Sequence, residues 1–478
     1  MGSGKRAEGA FSTTMLHEGV KNRYTVSVAF TPFKTFSKVV DSPGSEGEWL
    51  LLALAIAAPV GFFVAATFLP ETSQVALSFA ERSAPIWLPL VLASMALHLW
   101  ISFRRAAFIS SQKYVLLEIK PPRTHAKMPI AMEAFLSGLH LHPGVGTWYA
   151  RSILGRVRPW WSLEIASIEG QVHLFIWTRE VFRRNIEANI YAQYPGAQVI
   201  EVPDYTRTIS GSTSEWGIWG CDYDHTKPDP YPIKTYIDYD LVKPKKEYEQ
   251  TDPLANLIEF MGTLGPGEQL WTQIIIREHR GEKYNKKNAK GEVYTWKDEA
   301  RKLIQEIRIE AITKVKKYSA SGEFLFEENA PNPTKGEAEK MAAIEHNVSK
   351  LAFDVGIRSV YLARQDRFKV ATISGIVGLF KQFSSEGFNG FKPARWLMSF
   401  NDYPWEPFLN KRKDTARRKL VDAFRRRSYF YAPYTTPHLI MSTEELATIY
   451  HIPSAAVGTP SLPRVQSATA TAPIDLPT

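Results

Sequence analysis

The sequence has little cysteine: Cys221 is the only one among 478 residues, so the chain cannot form an internal disulfide. A protein without disulfides is typical of a reducing compartment such as the cytoplasm. The sequence also lacks the Cys-x-x-Cys and His-Glu-x-x-His spacings of metal sites. Side chains that can bind metals occur only in looser groups, at Cys221, Asp222, Asp224 and His225, and at His140 and His142. We therefore expect no metal site and no cofactor.

Catalytic motifs are absent as well. No Gly-x-x-x-x-Gly-Lys-Ser/Thr loop, which cradles phosphates in conventional ATPases, occurs in the sequence. The only Gly-Lys pair, Gly4-Lys5, lies in a polar tail over residues 1–47 and follows no predicted strand. The nucleophile motif Gly-x-Ser-x-Gly is missing too. These absences predict a protein that is not an enzyme and has no catalytic residues.

Charge is missing from two stretches, 50–69 and 84–103, each of which is 20 residues long. A helix rises 1.5 Å per residue, so each stretch is long enough for the ~30 Å core of a bilayer. This pattern predicts a transmembrane hairpin over 48–105. Basic residues lie in the N-terminal tail and follow the second stretch, which places both termini in the cytoplasm by the positive-inside rule. The sequence thus predicts a multi-pass protein of the inner (cytoplasmic) membrane, with membrane lipid as a partner.

The rest of the chain has the composition of a folded protein. With 44% apolar and 12% aromatic residues, it is long enough for two domains with buried cores. Within 113–205, Leu174 and Ile176 follow the two-residue period of a strand, while Ile186 and Ile190 follow helical spacing. The order of these patterns is β-α-β-β-α-β, which predicts a first ferredoxin-like domain.

A second domain is predicted over 233–400, after a linker over 206–232 that is rich in Ser, Gly and Pro. The sequences TYIDYD and EQLWTQIIIRE, with a helical pattern between them, restate the first β-α-β. A charged insertion over 278–335 interrupts this domain, and within it 296–318 has the composition of an exposed helix. The predicted fold class is therefore α+β, with an N-terminal two-helix transmembrane hairpin followed by tandem ferredoxin-like (βαββαβ-type) cytoplasmic domains.

The strongest charge cluster lies in a basic helix and capping segment over 401–455, which precedes a tail over 456–478 rich in Pro, Ala and Thr. Because Leu420 and Phe424 give this cluster an apolar side, we expect an amphipathic helix that faces a polyanion, with Tyr429 nearby to stack on bases. The candidate nucleic-acid-binding or partner-binding residues are Lys411, Arg412, Lys413, Arg417, Arg418, Lys419, Arg425, Arg426 and Arg427. A lipid or protein contact and a solvated helix face remain alternatives, and the net charge of +9 fits each of them. Farther along, Ser442-x-x-Glu445 fits a capping box, which indicates a structural role for both residues.

Four longer passages carry a family resemblance. They are LFIWTREVFRRNIEANIYAQYPGAQVIEV at 174–202, LGPGEQLWTQIIIRE at 264–278, RRRSYFYAPY at 425–434 and STEELATIYHIPS at 442–454. They resemble the membrane-anchored N-terminal region of bacterial type IV secretion-like conjugative DNA-transfer ATPases, the coupling-protein-like motors. In that family, two membrane helices hold a cytoplasmic region in front of a hexameric RecA-like motor.

The sequence departs from this family where the motor should follow. In the family, the Glu-Glu-Leu-Ala-Thr segment leads into the nucleotide-binding domain, whereas this chain has no phosphate-binding loop. We therefore expect the ATPase to be a separate polypeptide, with a split or truncated gene as the alternative. The resemblance implies a non-enzymatic, membrane-anchored platform or accessory subunit of a type IV secretion-like conjugative DNA-transfer system, which docks a separate P-loop ATPase. DNA and a second copy of the chain are further expected partners. The alternative is a membrane-tethered nucleic-acid-binding protein that acts without a motor.

Overall fold

The strands and helices of this protein come from a computed structural model. It describes residues 70–122, 128–141, 147–209, 214–239, 241, 252–281, 283–284, 286–288, 291–318, 324–400, 410–453 and 462–464. The strands in these ranges are β1 (Tyr114–Lys120), β2 (Trp161–Ile168), β3 (Gln171–Arg179), β4 (Gln198–Val202), β5 (Trp216–His225), β6 (Glu268–Glu278), β7 (Ile312–Tyr318), β8 (Phe324–Pro331), β9 (Ala352–Arg364), β10 (Phe391–Ala394) and β11 (Leu439–Ser442). The helices are α1 (Pro70–Ser111), α2 (Ile130–Gly138), α3 (Trp148–Ser152), α4 (Arg183–Gln193), α5 (Ala255–Gly262), α6 (Trp296–Glu310), α7 (Lys335–Ser349), α8 (Val370–Gly378), α9 (Lys411–Arg425) and α10 (Thr443–Ile449).

Nine of these strands form one antiparallel sheet in the order β10-β5-β9-β6-β2-β3-β1-β4, with β11 paired to β9 beside the end of β5. The order β4-β1-β3-β2 in one half is repeated as β10-β5-β9-β6 in the other. The halves join where β2 pairs with β6, from Trp161 opposite Ile276 to Ile168 opposite Gln269. This pairing satisfies the backbone groups of two strands that would otherwise be sheet edges. The protein is therefore α+β with a continuous sheet.

The predicted fold class is wrong because it includes a transmembrane hairpin. Among the described residues, no helix combines the length and the apolar character needed to cross a membrane. One helix, α1, runs through both the predicted loop and the stretch 84–103, so no turn separates two spans there, and Pro85 and Pro89 interrupt the apolar sequence. The other stretch, 50–69, lies outside the described residues. The predicted location in the inner membrane is wrong for the same reason.

Local structure also differs from the sequence pattern in the second half of the sheet. Its first strand is β5, which lies within the predicted linker, whereas the start of TYIDYD forms a turn. Thr235 N donates to Asp238 Oδ2 at 2.8 Å, and Asp238 N donates back to Thr235 O at 2.9 Å. In the charged insertion, α6 ends at Glu310, and β7 and β8 form a separate two-stranded hairpin.

The sheet has a packed core on each face because successive strand residues point to opposite sides. On the first face, side chains such as Leu117 and Ile176 pack with α2, α4, α5, α8 and α10. On the second face, Phe175, Trp271 and Val360 pack with α9 and with the end of α1. The basic helix is therefore fixed to the second face of the sheet.

Candidate nucleic-acid interface

The apolar side of α9 anchors it to the central strands. Leu420 and Phe424 are completely buried, and the ring of Phe424 lies 5.3 Å from that of Trp271 on β6. Gly220 on β5 allows this close approach, since a Cβ there would lie 2.7 Å from Leu420 Cδ2 and 2.5 Å from Ser359 O. A helix held in this way presents its other side in a fixed orientation.

The structure separates the nine predicted basic residues by exposure. Lys411, Arg412, Arg418, Lys419 and Arg426 are exposed, Lys413, Arg417 and Arg425 are half-buried, and Arg427 is buried. Helical spacing of seven and eight residues places Lys411, Arg418 and Lys419 on one face. Eight of the nine side chains thus reach the surface of this region at least in part.

Carboxylates neutralise some of these cations. Arg417 Nη1 lies 2.8 Å from Asp414 Oδ1, and Arg426 Nε lies 2.8 Å from Asp422 Oδ2. In contrast, Lys411, Lys413, Arg418 and Lys419 form no ion pair with any residue that the structure describes. The helix therefore carries four positive charges that no ion pair of the described structure compensates.

Arg427 has a structural role and does not belong to the exposed surface. Its side chain is 1% exposed, its Nε donates to Glu164 Oε1 at 2.9 Å, and its Nη2 donates to Asp204 Oδ1 at 3.1 Å. Burial opposes the charge of Asp204, but its hydrogen bonds with Arg427 outweigh this and lower the pKa of that carboxyl. The inclusion of Arg427 among the candidate ligand-binding residues is thus at odds with its burial.

The aromatic residues after α9 are also placed differently from the sequence expectation. Tyr429 and Phe430 are buried, at 1% and 7% exposure, and Tyr429 Oη donates to Pro437 O at 3.1 Å. Neither ring offers a free face for a base. Tyr429, Phe430 and Tyr431 all line a surface groove, but only Tyr431 of these three is half-buried rather than buried.

This groove, which sequence reasoning missed, has a volume of about 900 Å³ and lies beside the C-terminal end of α9. The end of α1, the start of β1, the end of β4 and residues 425–433 form its walls. Arg207 reaches it from a short 3₁₀ helix, Tyr205–Arg207, that begins where Asp204 Oδ1 accepts from Thr206 N at 3.1 Å. The Asp-x-Thr sequence is a local signal for that turn, but nothing local indicates that Arg207 meets the end of a helix more than 200 positions later.

The two carboxylates of the loose group around Cys221, those of Asp222 and Asp224, form hydrogen bonds with arginines. Arg358 Nε donates to Asp222 Oδ1 at 2.8 Å, and Arg395 Nη2 donates to Asp224 Oδ1 at 2.6 Å. Burial raises the pKa of the neighbouring Cys221 thiol. Within the described ranges, no group of three or more His, Cys, Asp or Glu side chains is arranged to hold a metal ion.

The capping box predicted at Ser442 is present at the start of α10. Glu445 N donates to Ser442 Oγ at 3.2 Å, and Ser442 N donates to Glu445 Oε2 at 2.8 Å. The other carboxylate oxygen, Oε1, accepts from Ile233 N at 3.0 Å, and burial raises the pKa of Glu445. These two residues join α10 to the segment after β5, which is a structural role.

The chain matches a known protein family. Residues 105–464 match the family described as a domain of unknown function (DUF8128), and the match covers more than half of the chain. It includes the whole sheet, α9 and all residues that line the groove from Ala106 onward. No curated protein is significantly similar to the chain.

Proposed function

We propose that this protein, which belongs to the DUF8128 family, is a non-enzymatic platform subunit of a type IV secretion-like conjugative DNA-transfer system and contacts DNA through α9. The observation that carries this proposal is the set of four cations on α9 without an ion pair in the described structure. The resemblance of the four sequence passages to the region in front of a DNA-transfer motor suggests the system. The proposal contains no catalytic step.

The packing of α9 on the sheet fixes the helix before DNA binds. Leu420 and Phe424 fix α9 to the sheet, so its cations are held together without a further cost of ordering the helix on binding. A row of fixed Lys and Arg side chains binds phosphates and releases the counterions condensed on DNA. Such contacts position a protein on DNA without reading its sequence.

Charge reversal tests this role. The triple variant Lys411→Glu, Arg418→Glu and Lys419→Glu is expected to abolish measurable binding of labelled DNA in fluorescence anisotropy. The matched control is Arg301→Glu, Lys302→Glu and Arg308→Glu, which makes the same charge change on α6, a helix that is also 15 residues long. The control variant should bind DNA nearly as well as the wild type. Equal losses in both variants would show a general charge effect and contradict a role for α9.

A platform subunit also needs a motor, and we propose that this motor is a separate P-loop ATPase. The support is the resemblance of the passages at 174–202, 264–278, 425–434 and 442–454 together with the missing phosphate-binding loop in this sequence. The test is co-purification of the tagged chain with a P-loop ATPase encoded by a neighbouring reading frame. Recovery of the pair at fixed stoichiometry is expected. If the two purified proteins do not associate, the docking role is wrong while DNA contact by α9 stands as a separate question.

A further inference from the structure

The two edges of the sheet differ in whether a further strand can join them. At one edge, Gly390 O accepts from Thr226 N at 3.0 Å, which fixes how β10 is turned. Backbone groups alternate in direction along a strand, so Phe391 and Pro393 face away from β5. Phe391 N donates to Ser384 Oγ at 3.4 Å, and Pro393 has no N–H. Neither outward position of β10 therefore has an N–H left for another strand.

The other edge, formed by β4, is open. Glu180 N donates to Lys113 O at 2.9 Å, so every second residue of β1 from Lys113 onward faces β3 and the residues between them face β4. Their partners on β4 are Gln198, Ile200 and Val202. Val199 and Glu201 therefore point their N–H and C=O groups away from β1, and no hydrogen bond among the described residues uses these groups.

This open edge has defined ends. Ala197 N, one outward position earlier, donates to Tyr194 O at 3.1 Å, and Pro203, one outward position later, has no N–H. Between them, the apolar side chains of β4 are only half-buried. Unpaired strand edges of this kind are templates for pairing with another chain. The edge of β4 thus accepts a short strand with two residues that face it.

A second copy of β4 is such a strand. In an antiparallel pair centred on Ile200, Val199 of each copy lies opposite Glu201 of the other. These opposite residues exchange N–H···O bonds in both directions, so four hydrogen bonds use every outward N–H and C=O of the two strands. The two Ile200 side chains meet at the centre of the pair and cover each other. The edge is therefore self-complementary, as a two-fold interface requires.

Charge favours this register over its neighbours. Here Glu201 lies opposite the apolar Val199, and its ion pair with Arg183 on α4 is retained. Pairing shifted by one step in one direction would place Glu201 opposite its own copy, and like charges directly opposite are destabilising. A shift in the other direction would place Glu201 opposite Ala197, whose N–H is already used. Only pairing centred on Ile200 uses all outward groups without charge repulsion.

We propose that two copies of the chain pair through β4 in this register and so extend the sheet from one copy into the other. The partner is thus a second copy of the same chain, related by a two-fold axis through the pair of Ile200 residues. This inference does not depend on contact between α9 and DNA, or on a motor.

Cysteine cross-linking in the full chain tests the register. The only natural cysteine, Cys221, is buried. In Ile200→Cys the two thiols would face each other at a Cα spacing of ~4.5 Å, which lies within the range of a disulfide, so mild oxidation should give covalent dimers. Gln198→Cys is the matched control, because Gln198 is the more exposed residue but lies ~13 Å along the strand from its copy in this register. Equal cross-linking of the two variants would show random collision and overturn the proposal.

A proline variant tests the backbone hydrogen bonds. Glu201→Pro removes an outward N–H that the sheet does not use, which an edge strand tolerates, and with it two of the four hydrogen bonds between the copies. Glu201→Gln keeps the N–H and removes only the ion pair with Arg183. In sedimentation equilibrium of the full chain, the dissociation constant of the dimer should rise about tenfold in Glu201→Pro and stay unchanged in Glu201→Gln.

Circular dichroism shows whether both variants fold, and if Glu201→Pro does not fold, the cross-linking result decides. A monomeric wild-type chain, or a dissociation constant that a folded Glu201→Pro leaves unchanged, would overturn the proposal. DNA binding by a monomeric wild type would leave the proposed contact of α9 in place while it excludes this dimer. Dimers that do not bind DNA would support this inference and contradict the proposed function.

Discussion

Arg427 Nε lies 2.9 Å from Glu164 Oε1, although 263 positions of sequence separate the two residues. This pair joins the end of the basic helix to β2 in the middle of the sheet. It is buried, with both side chains at most 1% exposed. The arginine that follows Arg425 and Arg426 in the strongest charge cluster thus belongs to the core.

Removal of Arg427 should destabilise the protein strongly. Arg427→Met leaves the carboxylates of Glu164 and Asp204 without their cation, which costs about 3–5 kcal/mol for a buried pair. Arg426→Met, which breaks an exposed pair with Asp422, should cost at most about 1 kcal/mol. Urea denaturation measures both values. Similar losses in the two variants would contradict the structural role of Arg427.

Stability should fall in acid because of Asp229. Burial opposes its charge, but the hydrogen bond with His225 and the charge of Lys283 outweigh this and lower its pKa from 3.8 to about 2. Since the folded carboxyl has the lower pKa, its stabilisation is complete above the unfolded pKa and is lost as the pH falls through the folded one. The contribution is about 2 kcal/mol.

Asp229→Asn tests this directly. Between about pH 5 and the folded pKa, the unfolding free energy of the wild type should fall by this amount relative to that of Asp229→Asn. The measurement is urea denaturation at a series of pH values. Parallel curves for the two proteins would show that Asp229 does not contribute.

Gly220→Ala should weaken the attachment of α9. The added Cβ would lie 2.5 Å from Ser359 O and 2.7 Å from Leu420 Cδ2, and overpacking of this kind costs about 1–3 kcal/mol. The control is Gly336→Ala in α7, where a Cβ would meet nothing within 4 Å. This control substitution should stabilise the helix by up to about 1 kcal/mol. Thermal denaturation distinguishes the two. A stable Gly220→Ala variant would mean that α9 does not press against β5.

Loss of the buried capping box should cost more than loss of an exposed one. Ser442→Ala removes the acceptor for Glu445 N at a buried helix start, while Thr334→Ala removes the equivalent acceptor at the exposed start of α7. We expect the free energy of unfolding to fall by about 2 kcal/mol in Ser442→Ala and by about 0.5–1 kcal/mol in Thr334→Ala. Denaturant unfolding of both variants gives the comparison, and the reverse order would contradict it.

Sequence patterns that depend on neighbours along the chain were informative. Leu420 and Phe424 mark the buried side of α9, and the spacing of Ser442 and Glu445 marks a helix start. The segment EQLWTQIIIRE coincides with β6. In each case a local period or a local hydrogen bond decides the structure.

Features that depend on distant residues could not be predicted. Arg425, Arg426 and Arg427 look alike in sequence, and only the positions of Thr206, Asp422 and Glu164 give them different roles. The composition of 206–232, rich in Ser, Gly and Pro, predicts a linker where the structure has β5, and one of these glycines, Gly220, is required where Leu420 packs. The predicted membrane span 84–103 rests on length and lack of charge alone, whereas in the structure this stretch is part of the longer helix α1, which contains Pro85 and Pro89.

The most direct test of the central claim is the salt dependence of duplex DNA binding by the full chain. Four cations of α9 without an ion pair in the described structure predict a slope of roughly −3 to −4 for log K against log salt, at about 0.9 per phosphate contact. The triple reversal of Lys411, Arg418 and Lys419 should abolish measurable duplex binding even at low salt, because three of these four cations become anions. Salt-independent binding, or a slope that the reversal leaves unchanged, would contradict the assignment of α9 as the DNA-contacting surface.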